Sequence, residues 1–409
     1  MWLSAANDLT VRHSRMAILA AEATHLEARD VSRTSGFRIE LISDWKQARA
    51  RWKDPRPPTP FQDFRWLDAW YGAVRNVEPL IAYITDAPSA EQVALLPLVR
   101  RTHRGLRVVE FADLDLTDYN APLLGPAAPC DAARARLLWR ELVAALKRVP
   151  GGADLVRLRK LPLELDGWPN PLALLAGTGG CAVNGNVVTI VNDFETWRSA
   201  LKKSVRKQLD RSWRTFASYP QASFRVVRDE ASVRTILAAM EIQQKARMRH
   251  LGQNFVPDEE AYTAFYRSLV ADNIGSGYAV LSALTVGEEV VATLLGIRTG
   301  TRYVMVRISN AGEKWSNCSP GRLIIARTIA ALHQDGVRVF DFSTGNYAYK
   351  RRFGVVPLRL VNLTKALSWR GVPLAARDGL VREIRRHPRF AVRISRALGM
   401  RSAREEYEV

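Results

Sequence analysis

One pattern constrains the fold of this chain more than any other feature, and it occurs twice. Three β-type runs, Leu80–Thr85, Val93–Arg100 and Leu106–Phe111, begin 13 residues apart. Runs at Tyr278–Ala283, Val290–Arg298 and Arg302–Ile308 repeat them at a spacing of 12. Turn residues separate the runs, as in Val286-Gly287-Glu288-Glu289 and Thr299-Gly300-Thr301, so each set reads as an antiparallel meander. After each meander the apolar period lengthens from that of a strand to that of a helix. The first copy continues with a helix at Ala132–Lys147, a Gly151-Gly152 break and a strand at Leu155–Leu161. The second continues with a helix at Gly321–Gln334, Gly336 and a strand at Arg338–Phe342. The same order of elements, twice, predicts a duplicated α/β unit: two tandem domains, each a mixed, largely antiparallel sheet flanked by helices.

The rest of the chain arranges itself around this duplication. Residues 1–35 read as an N-terminal arm without a clear period, 36–190 as the first domain, 191–370 as the second, and 371–409 as a basic helical tail. A Pro-rich break at 54–60 precedes an aromatic helix signal at Phe61–Trp70. Near the boundary, Val187–Val191 reads as a strand and Asp193-Phe194-Glu195 opens a helix. From Trp197 to Phe216, apolar Trp197, Leu201, Val205, Leu209 and Trp213 recur every four residues and predict one helix with a cationic opposite face.

Composition narrows the function classes. The 409 residues are 47% hydrophobic and 25% charged, which excludes collagen-like, disulfide-framework and wholly disordered chains. The net charge of +19 favours acidic or phosphate-bearing partners: nucleic acid, a coenzyme, a nucleotide sugar or an anionic membrane. Cys130, Cys181 and Cys318 are too scattered for a disulfide scaffold, and the six histidines are too dispersed for a metal site. No apolar run is long enough to span a bilayer, and Met16–Ala23 makes a poor signal peptide, so a cytoplasmic location is expected.

Two segments of the second copy carry candidate chemistry. Ser319-Pro320-Gly321-Arg322 forms a tight turn opening the predicted helix, where amides and the helix dipole suit a phosphate or pyrophosphate. Read locally, a plain Ser cap with Pro in the first turn, which needs no ligand, is the preferred reading, and only the family resemblance given below reverses it. The first copy has Pro129-Cys130-Asp131 in the corresponding place, and an acid at a helix start repels phosphate. If one copy binds a coenzyme, it is therefore the second. The other segment is Phe340-Asp341-Phe342-Ser343-Thr344-Gly345-Asn346-Tyr347-Ala348-Tyr349-Lys350-Arg351-Arg352-Phe353-Gly354. Asp341, at a strand end beside a glycine turn and a Tyr/Lys/Arg cluster, is a candidate acid/base group. The alternative is an ion pair with Lys350 or Arg352.

These residues carry a family likeness. A helix-Gly-strand ending in Phe-Asp-Phe-Ser-Thr-Gly-Asn and followed by Tyr-Lys-Arg-Arg-Phe-Gly, with Ser-Pro-Gly before the helix, resembles the CelD-like (cellulose-biosynthesis type) acetyltransferase domain. That domain belongs to the GNAT acyltransferase superfamily and is related to the Fem-type aminoacyltransferases. The likeness is clearest from 190 to 360 and extends to the basic opening Lys203–Arg211, where Gln208 and Asp210 replace the more typical Asn and Arg. The resemblance implies tandem GNAT folds and acyl transfer from a thioester, acyl-CoA, to an amine, with no metal. It assigns Ser319, Pro320, Gly321 and Arg322 to the coenzyme, and Ser204, Arg206 and Arg211 to substrate. With Asp341 as base, Tyr349 or Tyr347 would protonate the departing thiolate. A backbone N–H of the strand Tyr303–Ile308, or Lys350, would stabilise the oxyanion.

The expected reaction is N-acylation of a sugar amine, an amino acid or an envelope or polysaccharide precursor. A second reading keeps the fold but takes the acyl group from aminoacyl-tRNA, as Fem-type relatives do. It ranks lower because Val226–Ser276 is short for the helical arm such enzymes carry. A third reading is a non-catalytic component of a polysaccharide-synthesis assembly, with basic helices around Arg382–Leu398 against a membrane. Oligomeric state is left open.

Overall fold

The structure is a computed structural model that describes residues 36–53, 59–165, 167–191, 193–250 and 259–386. The expected arm at 1–35 and the tail beyond 386 lie outside the described residues. The first half contains β1 (Phe37–Ile42), α1 (Trp45–Arg51), α2 (Phe64–Ala73), β2 (Ile81–Asp86), β3 (Gln92–Leu96), β4 (Leu98–His103) and β5 (Leu106–Phe111). It continues with α3 (Ala132–Lys147), β6 (Leu155–Pro162) and β7 (Gly185–Thr189). The second half contains α4 (Phe194–Ala200), α5 (Lys203–Ala217), β8 (Ala222–Val227), α6 (Glu230–His250), α7 (Glu259–Asn273), β9 (Ala279–Val286), β10 (Glu289–Thr299) and β11 (Arg302–Asn310). After it come α8 (Pro320–Gln334), β12 (Val339–Asp341), α9 (Ala348–Arg351), β13 (Val356–Leu358), β14 (Leu360–Ala366) and α10 (Val372–Arg386).

Both meanders form as antiparallel sheets, and in both halves the last meander strand pairs in parallel with the strand after the helix. One predicted strand of the first meander is split. Pro97 has no N–H to donate, so β3 pairs with β2 while β4 turns away to pair with β5. The expected single helix over Trp197–Phe216 is also split, at Leu201 and Lys202, whose backbones are extended. A strict four-residue repeat drifts around a helix of 3.6 residues per turn, so five such residues cannot face one neighbour. The break re-aims the stripe, and Leu201 is buried.

The halves exchange strands. β7, from the end of the first half, lies between β12 and β13 in the seven-stranded sheet of the second. β14, from the end of the second half, pairs with β6 in the sheet of the first. Sheet membership thus crosses the boundary near residue 190 in both directions. The crossing is clamped at Asp154, just before β6. Its carboxylate accepts from the Arg107 amide at 2.9 Å and from the Ser368 hydroxyl at 2.7 Å, and its carbonyl accepts from the amides of Leu367 and Ser368. Burial pushes the Asp154 carboxyl up, but these donors and the Arg107 guanidinium outweigh it and hold the pKa at about 2. Its stabilisation is therefore complete above the ordinary Asp range and is lost only as pH falls towards 2. Asp154→Ala should cost about 1–3 kcal/mol at pH 7, because it leaves half-buried donors on both halves, the Arg107 amide and the Ser368 hydroxyl, without their acceptor. Denaturant unfolding would show this as a lowered midpoint; an unchanged midpoint would mean that the clamp is idle.

A second seam is aromatic. The helix α2 buries Trp66 and Trp70, and Trp66 meets Phe265 of α7 edge-on at 4.8 Å. The Trp66 indole N–H donates to Thr117 and the Trp70 indole N–H to the Asp113 carbonyl. These bonds fix the loop 112–122 against the second half, and that loop carries Asp118 and Tyr119.

Candidate active site

The site is built where β11 leaves its neighbours. Parallel pairing with β12 covers only Arg302–Val304, and β11 bulges against β10 between Met305 and Arg307. Past Val304, β11 is no longer paired with β12, which ends at Asp341, and it continues along β10 through the bulge, where an extra residue disturbs the ladder. One face of this sheet packs on α8 through Tyr303, Met305 and Phe340; the other carries Val304, α7 and the first half.

At the start of α8, Ser319 has a left-handed backbone (φ 48°), and no side chain caps the helix. The plain Ser cap does not form. The Ser319 hydroxyl instead accepts from Arg322 Nη2 at 2.8 Å. Arg322 Nη1 donates to Gln208 Oε1 at 3.1 Å, and Arg352 Nη1 donates to the same oxygen at 3.2 Å. Two guanidiniums thus converge on an open helix N-terminus. Burial, then the nearby charge of Arg352, lowers the Arg322 pKa. The first half differs at this point: Asp131 caps α3, accepting from the amides of Ala133 and Arg134.

Of the predicted substrate residues, Ser204 and Arg211 are exposed on the same face of α5 as Gln208. Arg206 points to the far side of that helix, where its Nε is buried without a partner. Gln208, which stood out in the sequence only as a departure from the family pattern, is the α5 residue that reaches Arg322.

Asp341 is fully enclosed. Its Oδ1 accepts from the Tyr119 hydroxyl at 2.7 Å and from the Ser343 amide at 2.8 Å, and its Oδ2 faces Arg302 Nη1 at 3.4 Å. Its ion-pair partner is Arg302, since Lys350 and Arg352 are engaged elsewhere. Burial lifts its pKa to about 6 against the pull of Tyr119 and Arg302. Burial, then the charge on Asp341, raises the Tyr119 pKa in turn. Lys350 is buried, and its ammonium donates to the carbonyls of Ser343 at 3.3 Å and Thr344 at 2.6 Å. Burial draws its pKa down to about 8 despite Asp118 and Asp341. Tyr349 stacks on Tyr347 and has a pKa pushed up by burial to about 12.

The first half supplies what the sequence did not reveal. Asp118 accepts from the hydroxyls of Ser343 and Thr344, and so holds the turn that follows β12. Asn186, on the exchanged strand β7, donates to the carbonyls of Ser343 and Gly345 at 3.0 and 2.8 Å. No local signature marks Asp118, Tyr119 or Asn186. Arg352 was visible in the basic cluster after Tyr349.

Residues 203–351 match the family model of the acetyltransferase (GNAT) domain. The matched segment is therefore a GNAT-type domain within the second half, and the repeated strand order gives the chain two tandem GNAT-like units. The solved structure of FemX has the same fold at a TM-score of 0.55 and 9% identity, covering 84% of this chain and 100% of that one. A conserved protein of unknown function from Bacteroides thetaiotaomicron superposes at a TM-score of 0.50 and 12% identity, covering 81% and 100%. No curated protein matches the chain in sequence.

Proposed function

We propose that the protein is an acyl-CoA-dependent N-acyltransferase whose coenzyme pyrophosphate sits at the start of α8. The observation that carries this reading is the uncapped turn Ser319–Arg322 with Arg322 and Arg352 gathered on Gln208. The Gly321 amide, the helix dipole and two guanidiniums form an anion cradle, the amides of Arg322 and Leu323 being taken by the Ser319 carbonyl. The acyl group would then lie in the opening between β11 and β12, where a backbone N–H near the bulge serves as oxyanion donor. Asp341 is the proton acceptor, acting through an intervening hydroxyl or water because its own oxygens are enclosed. Tyr349, protonated at neutral pH, is the proton donor to the leaving thiolate. Lys350 acts by fixing the turn at Ser343 and Thr344, and the acceptor is the amine of a sugar, amino acid or envelope precursor.

Gly321 allows a clean test. A Cβ there would meet nothing closer than Asn310 Nδ2 at 3.6 Å, so a side chain fits without strain. Gly321→Asp should keep the wild-type Tm yet weaken acetyl-CoA and longer acyl-CoA binding by about 100-fold, since it sets a carboxylate in the cradle. Calorimetric titration decides the matter: absence of wild-type binding to either coenzyme would sink this reading. In its place, the exposed cations Lys203, Lys207, Arg211 and Arg214 on α5 favour aminoacyl-tRNA, whose binding would fall steeply with salt.

A further inference from the structure

Arg307 is a buried cation without a counter-ion among the described residues. It is 4% exposed, and among the described residues it forms no ion pair. Its Nε donates to Gln244 Oε1 at 3.1 Å and Nη2 donates to the same oxygen, while Nη1 is buried with no hydrogen-bond partner. The guanidinium carbon lies 4.4 Å from the ring centre of Tyr266 and 5.0 Å from that of Tyr262. Ring faces offset only part of the cost of burying a charge.

Among the described residues the buried carboxylates are matched, while the buried Lys350 ammonium is held by two backbone carbonyls. Asp154 has Arg107, Glu110 has Arg101, Asp113 has Lys160, and Asp341 has Arg302. Asp118, whose charge reaches the neighbouring Tyr266, is already bound by the Ser343 and Thr344 hydroxyls. Arg307 is thus preorganised by Gln244 and two tyrosines but left one oxyanion short.

Its location says whose oxyanion. Arg307 is the first residue past the β11 bulge, on the stretch beyond the end of its pairing with β12. It faces α6 and α7, on the opposite side of the sheet from α8 and the Arg322–Arg352 cradle. We infer that Arg307 anchors the acceptor, and that the acceptor is an amine carrying a carboxylate or phosphate group. This deepens the N-acyltransferase reading and rests on it. Arg307 binds the oxyanion through Nη1, leaving the amine directed towards the opening of the sheet.

The test uses the full-length protein with inorganic phosphate and acetate as probes, titrated at constant ionic strength while Tm is recorded. Wild type and Gly321→Asp should both be stabilised saturably, by several degrees, by at least one anion. Arg307→Met should lose that response and, without anion, melt at or above the wild-type temperature because the unmatched charge is gone. Response to phosphate alone, acetate alone or both identifies the group on the acceptor. Should Arg307→Met fail to fold, Arg307→Lys replaces it; an ammonium cannot keep the Gln244 fork and reach the Nη1 position together, so apparent affinity should drop at least tenfold. An unresponsive wild type, or an undiminished response in the Arg307 variants, overturns the proposal. Acyl-CoA titration in parallel keeps the two questions apart, because Arg307→Met should retain coenzyme binding.

Discussion

Replacing Asp341 by asparagine is expected to cut turnover by about 100-fold or more while leaving the protein at least as stable at pH 8. The two effects have one origin. Folding lifts the Asp341 pKa from 3.8 to about 6, so the folded state keeps a proton that the unfolded chain gives up in that interval. The wild type therefore loses stability as pH rises from about 4 through 6, and above that range the charged carboxylate costs about 3 kcal/mol relative to water. Asparagine removes this cost, retains an acceptor for the Tyr119 hydroxyl and the Ser343 amide, and gives up the Arg302 contact. It cannot take a proton. The wild-type rate should fall on the acid side with an apparent pKa near 6, and the variant should lack that limb. A variant with full turnover, or a wild-type profile flat between pH 5 and 8, would remove Asp341 from the mechanism and leave it a structural acid.

Gly185→Ala should damage the site from the exchanged strand. A Cβ at Gly185 would sit 2.3 Å from the Tyr119 hydroxyl and 2.9 Å from two of its ring carbons. Tyr119 is 1% exposed and rests edge-on against Phe61, with ring centres 5.7 Å apart, so it has little room to retreat. Overpacking of this kind costs about 1–3 kcal/mol. The larger consequence is the loss of the Tyr119 bond that lowers the Asp341 pKa. The acid limb of the rate profile should move above 6, and turnover at neutral pH should fall about tenfold or more. Tyr119→Phe should reproduce the pH shift with less loss of stability. If Gly185→Ala lowers Tm but leaves the pH profile in place, Tyr119 does not tune Asp341.

How much of this was legible in sequence depended on range. Period and turn chemistry are local signals, and they mark the helix Ala132–Lys147 in full and the second meander to within a few residues. Asp193 was recognised as a helix start, and it caps α4 by accepting from Thr196. Pro97 was in plain view, but what it does depends on which strands compete for β3 and β4. The four-residue stripe at Trp197–Trp213 misled for a similar reason: the spacing is helical, while the break is imposed by what Leu201 packs against. Tyr119 and Asp341 are 222 residues apart, and no pattern in either segment points to the other. The pairing of Arg322 with Gln208 was hidden because a glutamine on a basic helix carries no signature of its own.

The reciprocal exchange of β7 and β14 has a bearing on how such a chain could have diverged. A duplicated gene usually frees one copy to decay, yet here each copy's sheet includes a strand that the other copy supplies. The first unit carries the capping acid Asp131 where the second has the uncapped Ser319 turn, while its sheet shares strands with its neighbour's. Once a loop of that unit had delivered Asp118 and Tyr119 to the turn after β12, it was no longer a spare. Divergence in such a chain is confined to loops and turns, because a change in either sheet is felt by both units.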